Sequence, residues 1–197
     1  MRADNVAIKE MNDFKHADLA HINYFLDDGF SIHSLTAVGN MFHSVISAEA
    51  MQILMDHGVD PNIKGEYGDS ALTRAAFTMP LMLQDPNHPE VINKKKVIDL
   101  LLAAGLDINY QRDKDKKTAL MLVTNLEIAK YLIEKGADAT LKDKYGHYAH
   151  DQHIYELGGT LKPTYAYLEQ QSLSQLAQKA LPVTPQTTVT PNIRQRL

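Results

Sequence analysis

The sequence predicts an all-α chain: a solenoid of stacked helix-turn-helix units finished by a C-terminal capping helix. Three observations predict it. First, one phrase recurs down the chain as LDDGFSIH at 26–33, MDHGVDPN at 55–62, LAAGLDIN at 102–109 and IEKGADAT at 133–140. Second, a turn phrase follows each of the last three: EYGDSALTRAA at 66–76, DKDKKTALMLV at 113–123 and DKYGHYAHD at 143–151. Third, both patterns stop near Gly158-Gly159, and a different helical spacing takes over. Repetition at intervals of a few tens of residues is the mark of a repeat architecture.

The elements follow in order. Each recurring phrase closes an apolar helical run with a glycine, at Gly29, Gly58, Gly105 and Gly136. Only glycine takes the left-handed helix-stopping conformation cheaply. Asp60, Asp107 and Asp138 stand two places beyond three of these glycines and favour turn geometry. Ser70 and Thr118 suit helix N-caps, where a hydroxyl accepts a bond from a free backbone N–H. Ala71-Leu72 and Ala119-Leu120 then open short helices. Thr124 or Asn125 caps the next helix, whose seam is Ile128, Ala129, Leu132 and Ile133. The corresponding seam one unit earlier is Val97, Ile98, Leu100, Leu101 and Leu102. One such unit is too small to bury its own apolar face, so neighbours must share their seams.

The glycine spacings are 29 (58−29), 47 (105−58) and 31 (136−105). The long interval holds an insertion at 78–96, TMPLMLQDPNHPEVINKKK, in which Pro80, Pro86 and Pro89 break any continuous helix. A new helix is expected from Val91 to Ala104, with Lys94-Lys95-Lys96 as its solvated start. Residues 163–180 read as a covering helix, with Tyr165, Leu168, Leu173, Leu176, Ala177 and Ala180 at helical spacing. Residues 181–197, with three prolines and four threonines, read as a flexible tail.

These residues resemble the ankyrin-repeat pattern, GxTPLHxAA followed by a helix ending LLxxGAdvN. Gly68-Asp69-Ser70-Ala71-Leu72-Thr73-Arg74-Ala75-Ala76 carries the first half. Thr118-Ala119-Leu120 with Leu132-Ile133-Glu134-Lys135-Gly136-Ala137-Asp138 carries both halves. Val38-Gly39-Asn40-Met41-Phe42-His43 is a worn copy. The resemblance implies about five degenerate units over residues 1–158, against a family period of about 33. The insertion falls in the third unit, the capping helix in 159–180. The resemblance also implies a function: binding another protein through a concave face made by the turn tips and first helices. On that face it places Tyr67, Arg74, Tyr110, Arg112, Tyr145 and His147, with Met82 from the insertion. Tyr and Arg dominate protein interfaces because they offer large contact area with a polar handle. Small proteins of this family serve as adaptors, as inhibitors, or as effectors that intracellular bacteria deliver into host cells.

Bulk composition narrows the alternatives. Net charge is −4 over 197 residues, so no broad basic field attracts nucleic acid or anionic lipid. Cysteine is absent, which excludes disulfides and thiolate chemistry. The opening residues lack a signal-peptide core, and no apolar run approaches ~18 residues. A monomeric, soluble, cytoplasmic protein is expected, or one acting in a host cytosol if it is an effector. Phosphate-binding, nucleotide-binding and hydrolase motifs are missing, so neither catalysis nor a cofactor is expected. The rival reading is a metal-dependent protein or hydrolase centred on GHYAHDQH. There His147 and His150 would share a helix face, with Asp151 and His153 beside them. His150-Asp151 resembles the HD phosphohydrolases, but those need further His and Asp ligands on long helices.

Overall fold

The computed structural model describes residues 47–65, 68–77, 85–152 and 162–180, and among them every regular element is helical. The elements are α1 (Ala48–Asp56), α2 (Ala71–Phe77), α3 (Pro89–Ala103), α4 (Ala119–Leu122), α5 (Leu126–Glu134), a single 3-10 turn (Ala149–Asp151) and α6 (Lys162–Ala180). Two rows result. In one, α2 packs on α4 and α4 on the 3-10 turn. In the other, α1 packs on α3, α3 on α5 and α5 on α6.

The recurring phrase folds the same way three times. Gly58, Gly105 and Gly136 have φ of 80°, 87° and 97°. The glycine N–H in each case reaches a carbonyl three residues back, and the next N–H reaches one five back. That pair of bonds satisfies the orphan carbonyls of a helix end. The aspartate then closes the following turn. Asp60, Asp107 and Asp138 each accept, at 2.8 Å, the backbone N–H two residues on. The starts match too: Ser70 accepts from the Thr73 N–H at 3.2 Å, and Thr118 from the Met121 N–H at 3.3 Å. Asn125, rather than Thr124, caps α5, accepting from Glu127 and Ile128.

One continuous core runs between the rows. Val97, Ile98 and Leu101 of α3 and Ile128, Ala129 and Leu132 of α5 are fully buried, with Leu100, Leu102 and Ile133 half-buried against them. Three expectations need correction. α3 starts at Pro89 rather than Val91, and it has 15 residues, against nine in α1 and α5. Pro89 suits a first turn because its missing N–H would have no helical partner there, and His88 caps it through the Glu90 N–H. Lys94 is therefore mid-helix and 3% exposed, not part of a solvated start. Burial pulls its pKa down, partly opposed by Glu90.

The third correction concerns α6. Leu173 and Leu176 face water, at 61% and 38% exposure, while Thr164, Leu168 and Ser172 make the buried stripe. The helix is turned this way because its polar side chains complete the backbone edge of the preceding unit. Asn109 accepts from the Asp138 N–H at 2.8 Å and donates to the Gly136 carbonyl at 3.4 Å. Gln175 continues that ladder, accepting from the Ala139 N–H at 2.8 Å and donating to the Ala137 carbonyl at 3.2 Å. Lys179 adds bonds to Asp138 and Thr140.

The first closure at Gly29, the copy at Val38–His43, and the tail lie outside the described residues, as do Tyr67, Met82 and His153.

Candidate functional site

The face formed by α2, α4 and the turn tips carries most of the predicted contact residues. The three tips are built alike. The Gly65 N–H bonds the Asp69 carbonyl, the Arg112 N–H the Lys117 carbonyl, and the Asp143 N–H the His147 carbonyl. Each tip needs one residue at positive φ. Gly68 and Gly146 supply it at 70° and 86°, whereas the middle tip uses Lys116 at 62°. Gly68 has a second reason to be glycine: a Cβ there would stand 2.8–2.9 Å from Asp113 atoms of the next tip.

Tyr110 and Arg112 brace the tips. The Tyr110 hydroxyl donates to the Gly68 carbonyl at 3.0 Å, and Lys64 Nζ sits 3.5 Å from the ring centroid. Burial, then the charges of Asp113 and Asp69, push the phenol up. Arg112 grips Asp115 with Nε and Nη2, each at 2.6 Å, and reaches Asp69 with Nη1 at 2.9 Å. Asp69 and Asp115 are 5% and 9% exposed, so this fork joins two adjacent tips beneath the surface. Burial pushes the Asp115 carboxyl up, but Arg112 and the Lys117 N–H outweigh it and hold it below the usual range. The Arg112 guanidinium is driven far above its ordinary value by the same contacts.

Tyr145, Arg74 and His147 face outward instead. Tyr145 is 66% exposed. Lys144 Nζ lies 5.0 Å from its ring centroid, and the His147 ring 6.2 Å away. Arg74 leaves α2 on the exposed side. It lines a cleft of ≈ 300 Å³ between α2 and α4, together with Phe77, Arg112, Lys114, Lys117 and Leu122. Phe77 is 52% exposed. Neither Phe77 nor Lys117 is among the contact residues expected from the sequence. The usable signal was the spacing: Phe77 stands three residues after Arg74, which puts both on one helix face.

Among the described members of the histidine cluster, His147, His150 and Asp151 do not come together as the rival reading requires. His147 precedes the 3-10 turn, so it does not share a helix face with His150. His147 Nδ1 leans toward Asp143 Oδ2 at 3.6 Å. The His150 ring stacks on Tyr148, with centroids 5.4 Å apart, and its Nε2 lies 3.5 Å from Asp151 Oδ1. Asp151 also closes the turn by accepting from the Tyr148 N–H at 2.8 Å. Among the described residues, no three His, Asp or Glu side chains are placed to hold one metal ion. Nor, among them, is any helix long and apolar enough to cross a membrane.

No protein-family model matches the chain. It is similar to the ankyrin repeat and SAM domain-containing protein 6 of Rattus norvegicus, 38% identical over 85 residues. The same protein of Mus musculus gives the same identity over the same length. In both cases the match covers 34% of this chain and 10% of the relative, so the chain spans a small part of those proteins. The likeness points to ankyrin-like repeats and, through them, to a protein-interaction module.

Proposed function

We propose that the chain is a non-catalytic interaction module of about five ankyrin-type units, closed by α6, that binds another protein through its tip face and the 78–96 insertion. The observation that carries this reading is the triple recurrence of one geometry. Gly58, Gly105 and Gly136 stop a helix, and Asp60, Asp107 and Asp138 close the next turn with the same 2.8 Å bond. The partial likeness to the ankyrin repeat proteins of rat and mouse supports it.

Within the face the residues divide by role. Arg74, Tyr145 and His147 make direct contact. Tyr110 and Arg112 hold the tips in register for them. Tyr67 and Met82 add contacts from the third unit. The module works as a monomer in a cytoplasm, its own or a host's, and serves as adaptor, inhibitor or effector according to its partner. Nucleic acid and membrane are not its targets.

A photo-crosslinking residue placed at Phe77 or Tyr145 tests the reading in cells. Partner adducts are expected at both positions and not at Gln52, on the opposite row. Equal labelling from Gln52, or adducts only there, would refute the assignment of the face.

A further inference from the structure

Resting on that reading, we infer that the cleft between α2 and α4 takes an acidic peptide segment of the partner, with carboxylates set beside one apolar side chain. Charge complementarity carries the inference. The lining holds three cations, Arg74, Lys114 and Lys117, beside Arg112, whose charge is already spent on Asp115 and on the lining's single carboxylate, Asp69. The Arg112–Asp69 contact is 2.9 Å. The cleft is thus cationic in a chain whose net charge is −4, so its sign opposes that of the molecule around it. Local fields of this kind select and steer an oppositely charged ligand.

The apolar part of the cleft sets the second requirement. Phe77 stands 52% exposed beside Arg74, and Leu122 is half-buried across from it. A lone phosphate would leave that surface uncovered. A peptide carrying Asp or Glu next to Leu, Ile or Phe would cover it and meet the cations together. At ≈ 300 Å³ the cleft has room for one or two side chains, which suits a short linear segment rather than a folded cofactor. The overall negative charge also disfavours a long polyanion, whose remaining charges would be repelled.

Random dodecapeptides displayed on phage, selected against the immobilised full chain, test this directly. The expected winners are acidic with an embedded apolar residue. Their affinity should fall about tenfold or more on Arg74→Glu with Lys117→Glu, since each exposed pair is worth up to ~1 kcal/mol. The milder Arg74→Ala with Lys117→Ala should also weaken them and guards against misfolding, which circular dichroism checks. Basic or neutral winners that depend on Phe77 would overturn the acidic-ligand inference and leave the binding face intact. Winners indifferent to both cation variants and to Phe77→Ala, or no winners at all, would overturn the inference, and indifference would count against the face as well. Displacement of acidic winners by inorganic phosphate but not by free polyglutamate would replace the carboxylate site with a phosphate site.

Discussion

Arg112→Ala removes a brace between adjacent tips, and its effect follows from the contacts. Three charge-assisted hydrogen bonds are lost, two to Asp115 and one to Asp69. The two carboxylates stay behind at 9% and 5% exposure without that cation. Breaking a buried pair by removing one partner costs 3–5 kcal/mol. The Arg112 side chain is 18% exposed, so water entering the gap relieves part of this, and about 3 kcal/mol is expected at neutral pH. In a chain of this size that is roughly 6–12 °C in Tm. The pH dependence is the sharper test. In the wild type, Asp115 titrates below the ordinary carboxylate range. A depressed carboxyl contributes stability above the unfolded-state pKa and loses it as pH falls through the lower folded value. In the variant, burial remains without the guanidinium, so protonation relieves the strain. The wild type therefore loses stability in acid faster than the variant does, and the gap closes below pH ~4. Urea titrations followed by far-UV circular dichroism at pH 7 and in acid measure both quantities. A loss under about 1 kcal/mol at pH 7, or an equal loss at both pH values, would refute the reasoning.

Further perturbations probe the other devices. Lys116→Gly should raise stability by about 0.5–1 kcal/mol, because a non-glycine residue at positive φ costs roughly 1–2 kcal/mol and glycine gives back part in chain entropy; an unchanged urea midpoint would count against it. Gln175→Ala should cost about 1–2 kcal/mol from two lost hydrogen bonds, and hydrogen exchange should speed up first at the Ala139 N–H. Leu132→Ala should cost ~2–5 kcal/mol as a cavity opens in the shared seam, visible as a large drop in Tm. Asp143 is pushed up by burial, but Gln152, the His147 and Tyr145 N–H groups and the His147 charge hold its carboxyl below the usual range. Its contribution is present above the unfolded-state pKa and lost in acid, so Asp143→Asn should be less stable at pH 7 and show a flatter acid limb in a pH–Tm series.

What could be read in advance was local. Gly58, Gly105 and Gly136 stand at helix ends, and a helix end with glycine has essentially one cheap closure. Asp60, Asp107 and Asp138 bond their own neighbours, so their turns need nothing from the rest of the fold. Ser70, Thr118 and Asn125 act within three residues of themselves. The unread part was long-range. Arg112 meets Asp69 across 43 positions, and nothing near either residue announces the other. Lys116 adopts the left-handed conformation because the tip it belongs to demands one, not because lysine favours it. Lys94 looked exposed because it is charged and sits in a run of three lysines, yet its place on α3 turns it inward. The same limit applies to the candidate site. Tyr110 and Arg112 have the composition of interface residues, but the structure spends them on bracing, while Lys117 joins Arg74 and Phe77 only when α2 and α4 lie side by side.

Gln175 has a consequence for how the array can change in length. It terminates the ladder with one side chain placed where another unit's loop would otherwise be needed. A duplicated unit spliced in upstream of α6 would still meet its terminator, whereas one appended downstream would find the docking edge already occupied. Lengthening therefore has a permitted direction, set by the docked α6 with Gln175 and Lys179 along its edge.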